Sequence, residues 1–240
     1  DLTASFKSLK SRHDNDPKGH GTYCAGIAAA VSNNGKGVAS FSQNNEFVKV
    51  TSIKVLNAMG MGSQKSIIDG IIQAADSGAD VISLSLGGRS NQSKQTAYKK
   101  AVKYANKAGA IVVAAAGNSN RNAKEFAPVN APGVIGVSAI DEELNRAVFS
   151  NFVQDIDMGI AAPGVNIYST IPGDKYATLN GTSMATPYVS GLIGLMKSIK
   201  PSLSTKEIYN ILSASGKKTK NTKETGKFIQ PAEAIKMLTQ

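Results

Sequence analysis

A chain of 240 residues with 41% hydrophobic content carries enough apolar material for one substantial core, and no stretch of it approaches the roughly 18 apolar residues a membrane-spanning helix needs. Lys and Arg number 27 against 17 Asp and Glu, a formal charge of +10, yet the densest basic run, KKTKNTKETGK at 217–227, has no aromatic residues interleaved for base stacking. It reads as a solvated loop, and neither nucleic acid nor a membrane is an expected partner. A single cysteine, Cys24, rules out an internal disulfide and any metal site built from several thiolates.

Near the N-terminus, KGHGTYCAGI at 18–27 places one of two histidines, His20, between glycines and just ahead of a small-residue run, AGIAAAV, that reads as a helix. FVKVTSIKVL at 47–56 reads as a strand. Ser63 then caps a helix whose face is Ile67, Ile68, Ile71, Ile72 and Ala75, with Gly78 as its stop. DVISLSL at 80–86 has the near-continuous apolar character of a buried parallel strand, and a helix over 93–108 closes at Gly109. Further strands are expected at 110–117, 133–140 and, shorter, 146–152. The chain ends in helices: one over 182–199, one opened by the capping box of Ser204 and Glu207, and one started by Pro231. Strands separated by helices imply an α/β fold, a doubly wound, mostly parallel sheet with helices on both faces. No repeat or linker divides the chain, so residues 1–240 are expected to be one domain.

Nucleotide-binding loops are common in this fold class, but GMGSQKS at 60–66 lacks the glycine directly before the lysine that a phosphate loop needs. The G-x-S-x-G elbow of α/β-hydrolases is absent as well. Three other stretches belong together: His20 in GHGTYCAGI, Asn118 ending IVVAAAGN, and Ser183 in NGTSMATPYVSG. Each sits at an element boundary, where side chains converge at one end of a sheet. Each alone is ordinary local punctuation; three in this order are not.

These stretches resemble the histidine, oxyanion and serine motifs of the subtilisin-like serine proteases, and TGKFIQPAEAIKML is similar to that family's closing loop and helix, so the resemblance spans essentially the whole chain. It implies a serine endopeptidase in which Ser183 is the nucleophile, His20 its base and Asn118 an oxyanion donor. It further implies a groove in which Ser85, Leu86, Gly87 and Gly88 on one side and Gly60, Met61 and Gly62 on the other pair with an extended peptide. Ala115, Ala116 and Gly117 would line the primary specificity pocket, with Phe126 partly filling it. Tyr23 and Tyr188 stand where many relatives carry further histidines, and Cys24 is expected to be a packed, inert thiol.

The family's aspartate, which orients the histidine, would fall about nine residues before Asp1, so the first parallel strand is expected to be missing from this chain. Asp14 and Asp16 belong to a loop that is acidic in the family anyway, and neither is assigned as the triad acid. Residues 1–240 alone are therefore expected to be nearly inert. No cofactor is expected; the loop VSNNGKGVAS at 31–40 leaves calcium open as a structural ion. The resemblance implies a peptide or protein substrate, an upstream segment or propeptide as partner, and a secreted or cell-envelope location. The competing reading is a catalytically dead relative that binds peptides or serves as a structural domain.

Overall fold

The computed structural model describes residues 16–43 and 46–240. The first helix, α1 (His20–Ala29), is built of small residues and lies close against its neighbours. After it, β1 (Val31–Ser32) and β2 (Ser42–Gln43) form a two-residue parallel pair. The second helix, α2 (Gln64–Asp76), begins where the sequence places it, with the Ser63 hydroxyl accepting the Ser66 N–H. The core then alternates strand and helix: β3 (Val81–Leu84), β4 (Gly88–Arg89), α3 (Gln92–Lys107) and β5 (Ile111–Ala115). Asn91, one residue earlier than expected, caps α3 by accepting the Lys94 N–H. The next strands are β6 (Phe126–Ala127), β7 (Val134–Ile140), β8 (Gly159–Pro163) and a hairpin of β9 (Ile167–Ile171) with β10 (Lys175–Leu179). The chain closes with α4 (Thr182–Ile199), α5 (Thr205–Ser215), α6 (Thr222–Thr225), β11 (Lys227–Phe228) and α7 (Pro231–Thr239). Both halves of the Ser204 and Glu207 capping box form at the start of α5.

Five strands, in the order β11, β8, β7, β5, β3, make one parallel sheet. Alternate residues of β5 explain the layers. Val112 and Ala114 join α2 and α3 in one core, whereas Ile111 and Val113 join α4, α5 and α7 in the other. That is the period-two alternation of a strand buried on both faces. None of the described helices is long and apolar enough to cross a membrane.

Two expected strands do not form. Residues 47–56 keep a partly alternating burial, with Val48 packed on Gly194 of α4 and Val55 on Gly70 of α2, but among the described residues they join no ladder. Among the described residues, β3 is bonded only to β5. Residues 146–152 make a turn in which isolated bridges link Arg146 to Ile140 and Phe152 to Asn122. There the buried Ser150 hydroxyl takes the Ala139 N–H at 3.0 Å, so a side chain does what a ladder would otherwise do.

Two contacts fix α1. Its back packs on α4, where a Cβ on Gly191 would lie 2.5 Å from the Ala28 carbonyl oxygen and 2.6 Å from the Phe41 ring. Its other side is tied to the β9–β10 hairpin: the buried Tyr23 hydroxyl accepts the Leu179 N–H at 2.9 Å and lies 3.1 Å from the Ala177 carbonyl oxygen. The Ser169 and Thr170 hydroxyls donate to the carbonyls of Tyr23 and Thr22, each at 2.9 Å.

Candidate active site

Ser183 is the second residue of α4, where backbone N–H groups have no partner one turn back. Its own N–H makes no hydrogen bond among the described residues. Its carbonyl is also freed, because the residue four positions on is Pro187, which has no N–H to give. The Ser85 hydroxyl donates to that carbonyl at 2.8 Å, and the Cys24 thiol approaches it at 3.5 Å. In return the Ser183 hydroxyl donates to the Ser85 carbonyl at 3.2 Å. The proline in α4 thus creates the acceptor that locks strand end 85 to the serine.

Asn118 is exposed just beyond β5, after Gly117, whose φ of 103° is left-handed. Its Oδ1 accepts both the Thr182 N–H at 2.9 Å and the Thr182 hydroxyl at 2.8 Å. The Thr182 hydroxyl in turn accepts the Gly117 N–H at 3.1 Å. With Oδ1 so held, Nδ2 is the free end of the amide. A Cβ on Gly181 would lie 3.4 Å from Asn118 Nδ2 and 3.6 Å from the Ser183 nitrogen. The two donors therefore flank the space that Gly181 leaves vacant.

His20 begins α1, following Gly19 at φ 71°, where any side chain would press on Pro172 at 2.9 Å. Desolvation lowers the imidazole pKa from 6.5, with the Asp16 carboxylate pulling the other way. The ring is consequently biased toward its neutral form, the form a general base needs. Asp16 itself is engaged as the helix cap: its Oδ2 accepts the Thr22 N–H at 2.7 Å and the Thr22 hydroxyl at 2.9 Å. Asp14 lies outside the described residues. His20 and Ser183 share one end of the α1–α4 pair, since Cys24, one turn beyond His20, touches the Ser183 carbonyl. They are not hydrogen-bonded to each other, and among the described residues no acid is bonded to the imidazole. Burial pushes the Cys24 thiol up to about 12, which keeps it protonated and unreactive.

The expected groove residues fall into three groups. Gly88 pairs antiparallel with Ala127, and a Cβ on Gly87 would meet the Ala127 carbonyl at 3.1 Å, while Leu86 packs against the α2–α3 core. Gly60, Met61 and Gly62 form an exposed turn folded over Asn57, whose side-chain oxygen accepts the N–H groups of Met59 and Met61 at 2.9 and 3.1 Å. Ala115 and Ala116 are buried, so at this strand end they present backbone rather than side chain; the Phe126 ring stands beside Gly117, 3.8 Å from where its Cβ would be.

Sequence reasoning missed three residues here. Thr182 is fully buried and clamps Asn118. Asn151, also fully buried, holds the loop after Asn118, accepting the N–H groups of Ser119 and Arg121 at 3.0 and 2.9 Å and donating to the Ala116 carbonyl at 2.8 Å. Pro187 was the one visible signal, a proline inside a helical pattern. No group of three or more His, Cys, Asp or Glu side chains that could hold a metal occurs among the described residues. The loop at 31–40 has no carboxylate of its own and offers Asn33, Asn34 and backbone carbonyls as oxygen donors.

A parallel α/β sheet presenting a serine, a histidine and an asparagine from three separate connections has the architecture of subtilisin-like proteases. A protease of Pseudoalteromonas arctica superposes with a TM-score of 0.81 at 35% identity, over 91% of this chain and 70% of its own. A cold-adapted subtilisin-like serine proteinase does so with a TM-score of 0.79 at 29% identity, over 91% and 76%. The Subtilase family matches residues 5–228, and the chain belongs to that family. Subtilisin DY of Bacillus licheniformis is 41% identical over 96% of this chain and 82% of its own length. Thermitase of Thermoactinomyces vulgaris is 45% identical over 75% of this chain, a match that spans 61% of thermitase.

Proposed function

We propose that the protein is a secreted serine endopeptidase that hydrolyses peptide bonds with Ser183 as nucleophile and His20 as general base. The observation that carries this reading is the pair of free donors, Asn118 Nδ2 and the Ser183 N–H, which lie 3.4 and 3.6 Å from the point where a Cβ on Gly181 would stand. A carbonyl oxygen seated there gains both hydrogen bonds as it becomes an oxyanion. The helix N-terminus adds its positive end to the same point. His20, held neutral, takes the Ser183 proton once the hydroxyl turns from the Ser85 carbonyl, then returns it to the leaving amine. A substrate strand would add alongside Ser85–Gly88, with the 60–62 turn on its other side.

The acid that orients His20 is proposed to stand on a strand beside β3, which among the described residues is bonded on one side only. That strand, covalent or clipped, would pair with the open edge of β3. A second reading is a peptide-binding relative without catalysis, favoured by the Ser183 hydroxyl bonding to Ser85 rather than to His20. A fluorophosphonate probe on the full-length protein decides between them. Labelling that disappears in Ser183→Ala supports the protease; no labelling of the folded wild type refutes it.

A further inference from the structure

The dipeptide Asn-Gly occurs twice in the chain, at Asn34–Gly35 and at Asn180–Gly181. A glycine in that place leaves the asparagine side chain open to its own backbone, because no Cβ shields the nitrogen of the following residue. Both asparagines are exposed, so access to water does not distinguish them. Their hydrogen bonds do.

At Asn180–Gly181 both reacting groups are engaged. The Gly181 N–H donates to the Gly164 carbonyl at 2.8 Å, and the Asn180 side-chain oxygen accepts the N–H of Asn166, well back in the chain. Reaction there requires the nitrogen to give up its bond and the side chain to leave its partner.

At Asn34–Gly35 the pattern is reversed. The Gly35 N–H makes no hydrogen bond among the described residues, and a Cβ built on Gly35 would meet nothing within 4 Å. The Asn34 side-chain oxygen accepts the Lys36 N–H at 2.9 Å, a turn that carries the side chain forward over the Gly35 nitrogen lying between them. Gly35, at a φ of 70°, supports that turn. The carboxamide carbon is thereby brought toward the nitrogen, and the Lys36 N–H points at the oxygen on which negative charge develops when the two join.

We propose that Asn34 is a site of spontaneous deamidation and that Asn180, in the same dipeptide, is protected from it by the fold. Loss of the Gly35 N–H proton to water or hydroxide frees an electron pair on nitrogen, which bonds to Asn34 Cγ and places the charge on Oδ1. The Cγ–Nδ2 bond then breaks, and Nδ2 leaves as ammonia with a proton taken from water. Water opens the resulting cyclic imide: attack at Cγ gives aspartate, and attack at the main-chain carbonyl gives isoaspartate, whose chain runs through Cβ. The net change is one water taken up and one ammonia released, with no oxidant or reductant. The loop at 31–40 has no carboxylate, so conversion gives it its first negative charge. Its ends are tied together by the Ser32 hydroxyl, which donates to the Ser40 carbonyl at 2.6 Å and accepts the Ser40 N–H at 3.0 Å. The protein thus acquires a more acidic form with age, an inference that stands apart from the protease reading.

The test uses the full-length protein carrying Ser183→Ala, so that self-cleavage does not compete. It is incubated in mildly alkaline buffer and followed by mass-spectrometric peptide mapping and by methyl transfer from an isoaspartate-specific carboxyl methyltransferase. Asn34 is expected to convert at least about tenfold faster than Asn180, the effect of the two hydrogen bonds that hold the latter site. The rate at Asn34 should rise with pH, and Asn34→Gln should remove the acidic form and the methyl transfer at this loop. In denaturant, where neither set of bonds survives, the two rates should converge. Equal rates in the folded protein, an Asn34 that stays intact while a free peptide of residues 31–40 converts, or a rate gap that persists in denaturant would each overturn the proposal.

Discussion

Thr182→Val keeps the shape of a fully buried side chain and deletes one oxygen, so it isolates what that oxygen does. Two hydrogen bonds go: the one from the Gly117 N–H at 3.1 Å and the one to Asn118 Oδ1 at 2.8 Å. The bond from the Thr182 N–H to Asn118 Oδ1 at 2.9 Å remains. Leaving the Gly117 N–H without its partner costs about 1 to 2 kcal/mol of stability. The catalytic effect is bounded separately. An oxyanion donor is worth roughly 10² to 10³ in turnover, a magnitude known from subtilisin itself. Losing one of two clamps on that donor, at a net ~0.5 to 1.5 kcal/mol per hydrogen bond, converts to about a two- to thirteenfold loss. Steady-state hydrolysis of a chromogenic peptide by the full-length enzyme should show that fall in kcat with KM within about twofold of wild type, and Thr182→Ser should restore it. If kcat is unchanged while the thermal midpoint falls, Thr182 only supports the fold. A rise in KM at constant kcat would show that Asn118 acts in ground-state binding, and the oxyanion assignment would fail.

Gly181→Ala puts a methyl between the two donors at a φ of 154°, which L side chains rarely adopt. Turnover should drop at least 10²-fold, with about 1 to 3 kcal/mol of stability lost to strain; an active alanine variant would place the oxyanion elsewhere. In residues 1–240 alone, without the proposed acid, the His20 imidazole followed by NMR should titrate with a midpoint below 6.5, because desolvation favours its neutral form, and Asp16→Asn should move that midpoint further down by removing the carboxylate that raises it. The linked stability has the same sign: the unfolded histidine binds its proton more tightly, so His20's contribution is complete above 6.5 and is lost as pH falls through the lowered value. A midpoint above 6.5 would show an acid already paired with the imidazole.

What the sequence makes legible is what local chemistry decides. Ser63, Ser204 with Glu207 and Pro231 mark helix starts through bonds made within a few residues, and the apolar runs inside 80–86, 110–117 and 133–140 become the central strands because their burial on both faces leaves no other reading. Strand β8 escaped notice because GIAAP is short and ends in proline, and the 167–179 hairpin because its inward groups are a serine and a threonine that bond to α1. The segment at 47–56 has a strand's pattern but joins no ladder among the described residues, since a pattern belongs to one segment and a ladder to two. At the site, His20, Asn118 and Ser183 announce themselves by motif. Thr182 and Asn151 do not, because their work is to bond backbone groups more than 25 positions away in the chain, the Gly117 and Arg121 N–H groups among them.

The contact between Gly191 and Ala28 is a pivot with equal arms. Gly191 follows Ser183 by eight residues and Ala28 follows His20 by eight, so each reactive side chain stands about 12 Å from the crossing point. A change in helix crossing of about 5° at that point moves the two groups apart or together by about 1 Å, a displacement on which roughly 10² in rate can turn. The separation of Ser183 and His20, the proposed nucleophile and base, is thus set two helical turns below them, by a hydrogen where any other amino acid has a carbon. Laboratory selection for altered activity in this scaffold has a lever at Gly191 that touches neither substrate nor catalytic atoms.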